Sequence, residues 1–276
     1  MKGQEVPENI IERLRFLIRS YNDVKSVSVS SKQRILQIID APEFGYDRFT
    51  AEMDSLKDKI SREIGKQLEF WDIWTQWLKH VPGAGPWIAG ELIMAYYYKF
   101  TPICPECGED LVKQGENGSG KFTCPACGED SKGKGNLIYR VGIRTWKSIS
   151  AWQKYCGRFC DESGKMPKRK KGVQSNWSTR LRTVIFQFGD QVNRQKPDHL
   201  YKDHMLRLKE KKAAKHPDKN KGHIHNMARH ETGKLFLSHF MQVSCAIEGM
   251  EVPSPWIIAH GGHTHHVPPF YWNENG

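Results

Sequence analysis

No stretch of this 276-residue chain is apolar for long enough to cross a membrane as a helix. The opening MKGQEVPENII also lacks the apolar centre of a secretory signal. These two absences point to a soluble, cytoplasmic protein whose thiols stay reduced. Acidic residues are scarce in one place in particular. Between Lys165 and Lys234 there are 19 Lys/Arg against 6 Asp/Glu, a net of +13 in a chain whose total is +11. The remainder is slightly acidic. Charge confined to a quarter of the chain is the footprint of a polyanion binder, whereas a merely solvated surface would scatter it. Glycine and proline are missing from Arg48 to Lys79, Gly65 excepted, so nothing there interrupts a helix.

What is present reads mostly as α-helix. Pro7 to Ser20 sets Ile10, Ile11, Leu14, Leu17 and Ile18 on one face. Val24 to Ser31 alternates apolar and polar, as a short strand or a linker does, and Lys32 to Ile39 suits a short helix. Met53, Leu56, Ile60, Ile64 and Leu68 then recur at three- and four-residue steps, which predicts one long helix over 48–79. It pairs either with the first helices or with a second copy of the chain. Residues 1–75 are thus expected to form a coiled-coil-like, dimerising arm.

The stretch WLKHVPGAGPWIAGELIMAYYY, from Trp77 to Tyr98, sits at the centre of the sequence. Gly83 and Gly85 permit a tight turn between two helices, and Pro86 suits a first helical turn. The amides beyond Gly85 face outward at a helix start, where a phosphate is favoured. An ordinary helical hairpin in a core has the same pattern.

Cys104-Pro-Glu-Cys107 and Cys124-Pro-Ala-Cys127, each followed by Gly, have sixteen residues between the pairs. Four thiolates at this spacing suit a tetrahedral, closed, structural Zn²⁺ site, a zinc ribbon over 101–136. Cys156, Cys160 and Cys245 have no partner motif and read as core thiols. Lys113, Lys121, Lys132 and Lys134 flank the ribbon. Helical spacing resumes at Ile143, Trp146, Ile149, Trp152 and Tyr155, so the ribbon interrupts a helical domain spanning 76–250.

Beyond it, Lys165, Lys168, Arg169, Lys170 and Lys171 crowd a loop opened by Ser163-Gly164. Ser175, Asn176 and Ser178 are helix caps ahead of Arg180 and Arg182. Cations at a helix N-terminus oppose its dipole and make sense if an anion arrives there. Arg194, Lys209, Lys211 and Lys212 extend the basic series, and Trp177 is a candidate for stacking on a base. The tail over 251–276 holds His260, His263, His265 and His266 among prolines and aromatics. A disordered or partner-binding segment is expected there ahead of a dedicated metal site.

The order of these parts resembles two related families. VPGAGPWIAGELI, a YCG-type turn, SGKMPKRKKG, SNWSTRLRTVIFQFG and HETGKLFLSHF are similar to the C-terminal domain of insertion-sequence transposases that use a bridge RNA. They also resemble the Nop domain of guide-RNA particles, including the small Tas proteins of TIGR systems. The resemblance covers about residues 70–100 and 137–248. It implies a compact helical Nop-like domain that holds a guide RNA and directs it to a DNA target, with the chain as a homodimer. The transposases carry a carboxylate-bearing nuclease domain that has no room here, and two-metal chemistry needs such carboxylates. Ser163 matches the transposase nucleophile, but a serine without a base or metal is a weak one. The expectation is a binding protein and not an enzyme. The alternatives are a transposase- or recombinase-derived enzyme using Ser163 and a zinc-ribbon regulator that binds DNA without RNA.

Overall fold

The computed structural model describes residues 6–38, 45–113, 122–131, 137–161, 164–170, 173, 175–251 and 266–272. The protein is mostly helical. An antiparallel pair, α1 (Glu8–Ile35) and α2 (Tyr46–Leu68), leads into a short α3 (Asp72–Gln76) and a 3-10 turn (Leu78–His80). The central helix α4 (Pro86–Tyr97) runs directly into β1 (Tyr98–Ile103), which pairs antiparallel with β5 (Ile138–Ile143) in the register Tyr98 to Ile143. These two strands carry a small antiparallel sheet of β2 (Val112–Lys113), β3 (Phe122–Thr123) and β4 (Asp130–Ser131). Then follow α5 (Ile149–Tyr155), α6 (Thr179–Arg194), α7 (Leu200–Lys215) and α8 (Lys221–Ile247). No helix among the described residues is long and apolar enough to cross a membrane.

One hydrophobic core joins α1, α2, α4, α6, α7 and α8. Its centre is aromatic. The buried Trp77 ring lies 5.8 Å from Phe236 and 6.2 Å from Phe240, and Phe188 stacks on Phe236 at 3.8 Å. Trp152 and Tyr96 close it from the other side, 5.2 Å apart and edge to face. Such pairs add roughly 1 kcal/mol each beyond the area they bury.

Three local expectations are overturned, besides two smaller ones: Cys160 is exposed and not a core thiol, and Ile143 ends β5 and is not on a helix. Residues 24–31 are neither strand nor linker, because α1 runs through them unbroken. Tertiary contacts decide the matter: the buried Ser28 hydroxyl donates to Asp54 Oδ1 at 3.0 Å, and Lys32 and Lys57 bond the same carboxylate. Those hydrogen bonds hold the Asp54 carboxyl well below the usual carboxylate range. Nor does α2 reach Lys79. It ends at Leu68, and the turn that follows lets Glu69 Oε1 accept from Trp74 Nε1 at 2.9 Å. In an unbroken helix those two positions point about 140° apart. The same turn aims the buried Trp71 indole at the Tyr98 hydroxyl, 3.0 Å away.

The third correction concerns the tail. His260, His263 and His265 lie outside the described residues, but 266–272 are docked on the core. Phe270 O accepts from Trp77 Nε1 at 2.7 Å, and the Phe270 ring lies 4.9 Å from that of buried Tyr201. His239 holds this segment. Its Nε2 donates to Val267 O at 3.2 Å, so Nδ1 is left to accept from the Tyr201 hydroxyl at 2.7 Å. Burial pushes His239 down to about 3, and burial together with Arg158 takes His230, also on α8, to about 4. Unfolding returns both to about 6.5. Their contribution to stability is therefore complete above that value and is lost as the pH falls toward 4. Between pH 6.5 and 4.5 each histidine should cost roughly 2 kcal/mol. Denaturant titrations at pH 7 and 4.5 test the loss. Ring proton shifts of His239 should stay flat over the same interval, and those of His230 should move only near its lower end.

Candidate nucleic-acid interface and cysteine cluster

The turn before α4 is sharp because of Gly83, which has φ +92. A side chain there would lie 2.8 Å from Gln195 Nε2 and 3.3 Å from Gln191 Cβ, at the end of α6. Gly83 is thus a place where the turn lies against two side chains, Gln195 and Gln191. Gly83→Ala should lower stability by roughly 2 kcal/mol, read from thermal or denaturant unfolding. Gly85 has no positive φ; at φ −59 and ψ 168 it is the N-cap of α4, with Pro86 in the first turn. The two glycines border an open cleft of about 520 Å³, with Tyr21 and Lys25 on one wall and Arg194 on the other. Lys25 sits 3.9 Å over the Trp87 ring and donates to Gln187 Oε1 at 2.7 Å. Residues 21 and 25 were invisible to motif reading, since they come from a helix whose second half imitates a strand.

The basic loop is fastened at both ends. Asp161 Oδ1 accepts from the Lys165 amide at 2.9 Å, while Lys165 O accepts from the Asp161 amide at 2.8 Å. Farther along, Arg182 donates to Pro167 O at 2.6 Å and lies 4.8 Å over the Trp177 ring. This leaves Lys165, Lys168, Arg169 and Lys170 exposed, with no ion pair among the described residues. No Asp or Glu occurs between Glu162 and Asp190, so no acidic side chain within that span offsets them. Ser163 and Lys171, together with Lys121, Lys132 and Lys134, fall outside the described residues.

The remaining basic residues are more occupied. Ser178 caps α6 by accepting from the Leu181 amide at 3.2 Å, as its sequence position predicts. Arg180, on the first turn, donates from Nε to Glu91 Oε1 at 2.7 Å. Glu91 is buried and also accepts from Asn22 Nδ2 at 3.0 Å. Trp177 is half-buried, and its ring packs where a Gly157 Cβ would stand, 3.0 Å away. Arg194 pairs with Asp190 at 2.8 Å but is 70% exposed. Lys209 donates to Asn193 Oδ1 at 3.0 Å, and Lys212 pairs with Glu231 at 3.0 Å. Lys211 is exposed and makes no ion pair among the described residues.

Arg158 is a different matter. It is only 3% exposed and donates to Arg182 O at 3.2 Å, while its Nε finds no partner among the described residues. Burial, then repulsion from Arg182 and Arg229, lowers it to about 10. It stays charged at neutral pH and adds to the positive potential beneath the loop.

The four cysteines of the insert converge. Cys104 Sγ lies 3.6 Å from Cys127 Sγ, Cys107 Sγ lies 3.4 Å from Cys124 and 3.8 Å from Cys127, and all four fall within 4.8 Å of one another. None is in a disulfide. The two knuckles match turn for turn: Gly108 N–H bonds Cys104 O at 2.9 Å and Gly128 N–H bonds Cys124 O at 3.0 Å, with φ +73 and +71 at the glycines. Disulfide sulfurs would stand about 2.05 Å apart. Thiolates on the corners of a tetrahedron with 2.3 Å metal–sulfur bonds stand about 3.8 Å apart, close to the 3.4, 3.6 and 3.8 Å of three of the pairs. The donors fit a metal ion. Among the described residues of the insert, Leu111 is buried beside Cys104 and Cys124, with Phe122 and Leu137 partly covered, little apolar surface to hold the sheet. Compared with known proteins, the chain matches no family model and no curated protein.

Proposed function

We propose that this protein holds a structured RNA on its basic helical face and positions it, as a guide, against a DNA target, without cutting either strand. The observation that carries the reading is the acid-free run from Ser163 to Gly189, where Lys165, Lys168, Arg169 and Lys170 stand exposed above the capped start of α6. Such a surface binds phosphates irrespective of sequence, leaving sequence choice to base pairing in the RNA. The resemblance to Nop-type and bridge-RNA domains supports RNA over duplex DNA as the first ligand. In this reading the four-cysteine cluster takes Zn²⁺ as a structural ion, and the ion's binding free energy folds the insert.

The helical pair forms the dimer contact. Its distal half exposes Leu36, Phe49 and Leu56, at 86%, 63% and 47%, apolar surface that a second copy would cover. The test of the main reading is the nucleic acid that travels with the purified protein. A high 260/280 absorbance ratio that collapses on RNase treatment, with one dominant RNA species on sequencing, is the expected result. Protein that purifies free of nucleic acid and then binds no added structured RNA would refute it.

A further inference from the structure

A second cationic groove draws on the basic run only through Arg180 and is assembled from parts that are far apart in sequence. Arg15 and Arg19 come from α1, Tyr139 from β5, Arg144 from the segment after it, Tyr155 from α5 and Arg180 from α6, around an open groove of about 310 Å³. Among the described residues, Glu91 is the only carboxylate lining it, and Arg180 already engages it. The other three arginines are held by rings. Arg15 lies 4.2 Å over Phe100 and 3.9 Å over Tyr139, Arg19 lies 5.7 Å over Tyr139, and Arg144 lies 4.7 Å over Tyr155.

The strand register explains the platform. Phe100 faces Val141 and Tyr139 faces Pro102, so both rings project from one face of the two-stranded sheet. A guanidinium lying on a ring keeps its N–H edge in the plane, directed away from the stack. Ring contacts hold such a cation without using up its donors, whereas a carboxylate partner would consume them. Arg144 Nε is buried and has no partner among the described residues. Burial and repulsion from Arg19 lower Arg15, and Tyr139 and Glu12 offset them only in part. An occupant that is both anionic and planar relieves the repulsion and adds to the stack.

We infer that this groove seats an unpaired nucleotide stretch of the bound RNA, its phosphates on Arg15, Arg19 and Arg144 and a base against the Tyr139–Tyr155 wall. The inference rests on the RNA-binding reading above and adds a site that the basic run does not contain. Base stacking on such a wall contributes roughly a factor of ten per base, and the groove should therefore distinguish a base from its absence. The basic loop, which meets only backbone, should not.

The experiment uses the full chain and two fluorescent ten-nucleotide single strands, oligoadenylate and an abasic ribose-phosphate of equal charge. Fluorescence anisotropy should show about tenfold tighter binding of the strand that carries bases. Tyr139→Ala should erase that preference. Arg19→Gln, an exposed position whose loss leaves the core intact, should weaken both strands about threefold. Replacing Lys168, Arg169 and Lys170 with glutamine should weaken both strands equally and keep the preference. Equal binding of the two strands by the native protein, or an unchanged preference in Tyr139→Ala with a native melting curve, would overturn the groove while leaving the RNA-binding reading in place. Competition by polyglutamate as strong as that by oligoadenylate would also overturn it. Failure of the native protein to bind either strand or structured RNA would overturn both.

Discussion

Exchanging Lys165, Lys168, Arg169 and Lys170 together for glutamine is expected to weaken binding of a structured RNA by about 100-fold near physiological salt. Each phosphate neutralised on a single strand releases about 0.7 of a counterion, so four contacts contribute about two powers of ten at that ionic strength. The same count gives a second, independent readout. A plot of log affinity against log salt should become shallower by about 3. All four side chains are exposed and none is in an ion pair among the described residues, so the fold has no reason to change. Circular dichroism and melting temperature should match the native protein. Arg182 makes a useful contrast. It bonds Pro167 O and covers Trp177, so Arg182→Gln should loosen the loop and lower stability as well as affinity. An unchanged salt slope in the fourfold variant would show that RNA, if bound, sits elsewhere.

The other large effect concerns the cysteine cluster. The native protein should contain about one zinc per chain, and Cys104→Ser or Cys124→Ser should abolish it. Structural zinc in small modules contributes on the order of 10 kcal/mol, far more than the few buried side chains of the insert can. Removing the ion should therefore unfold β2, β3 and β4, while α4, α6 and α8, whose core lies elsewhere, keep their structure. Hydrogen exchange resolved by peptide would show the loss confined to the insert. Cys245→Ser, outside the cluster, should retain the metal. Elemental analysis that found no metal in the native protein, with the insert nonetheless protected from exchange, would contradict the assignment.

The parts of the fold that were readable from residues are those in which local pattern and tertiary demand agree. In α6, Ser178 both looks like and acts as a cap, and the helix it starts buries Leu181, Val184, Ile185, Phe188 and Val192 on one face. The cysteine knuckles were legible because chelation dictates spacing. Elsewhere local pattern and packing disagree. Residues 24–31 alternate as a strand would, but Asp54 draws Ser28 and Lys32 onto one helical face. Tail residues 266–272 carry a loop's composition, and only the buried carbonyl and ring contacts around Trp77, Tyr201 and His239 fix their place. Of the candidate site, the exposed loop cations follow from sequence. Arg180, Trp177 and Lys212 look the same on paper but are tied into the structure, since their partners Glu91, Arg182 and Glu231 lie on other elements or in other turns. The arginine–tyrosine groove had no sequence signal at all. Its arginines and tyrosines come from five separate stretches of chain.

The most direct test of an RNA-holding protein that does not cut is a competition. Nucleic-acid-free protein is titrated into an equimolar mixture of a labelled structured RNA and a labelled DNA duplex of equal length, with magnesium, at several salt concentrations. Bound fractions and strand lengths are then read on gels. Preferential capture of RNA, lost steeply with salt and leaving both nucleic acids at full length, is the predicted result. Duplex DNA bound as tightly as RNA, or strands shortened by the native protein but left at full length by Ser163→Ala, would contradict it.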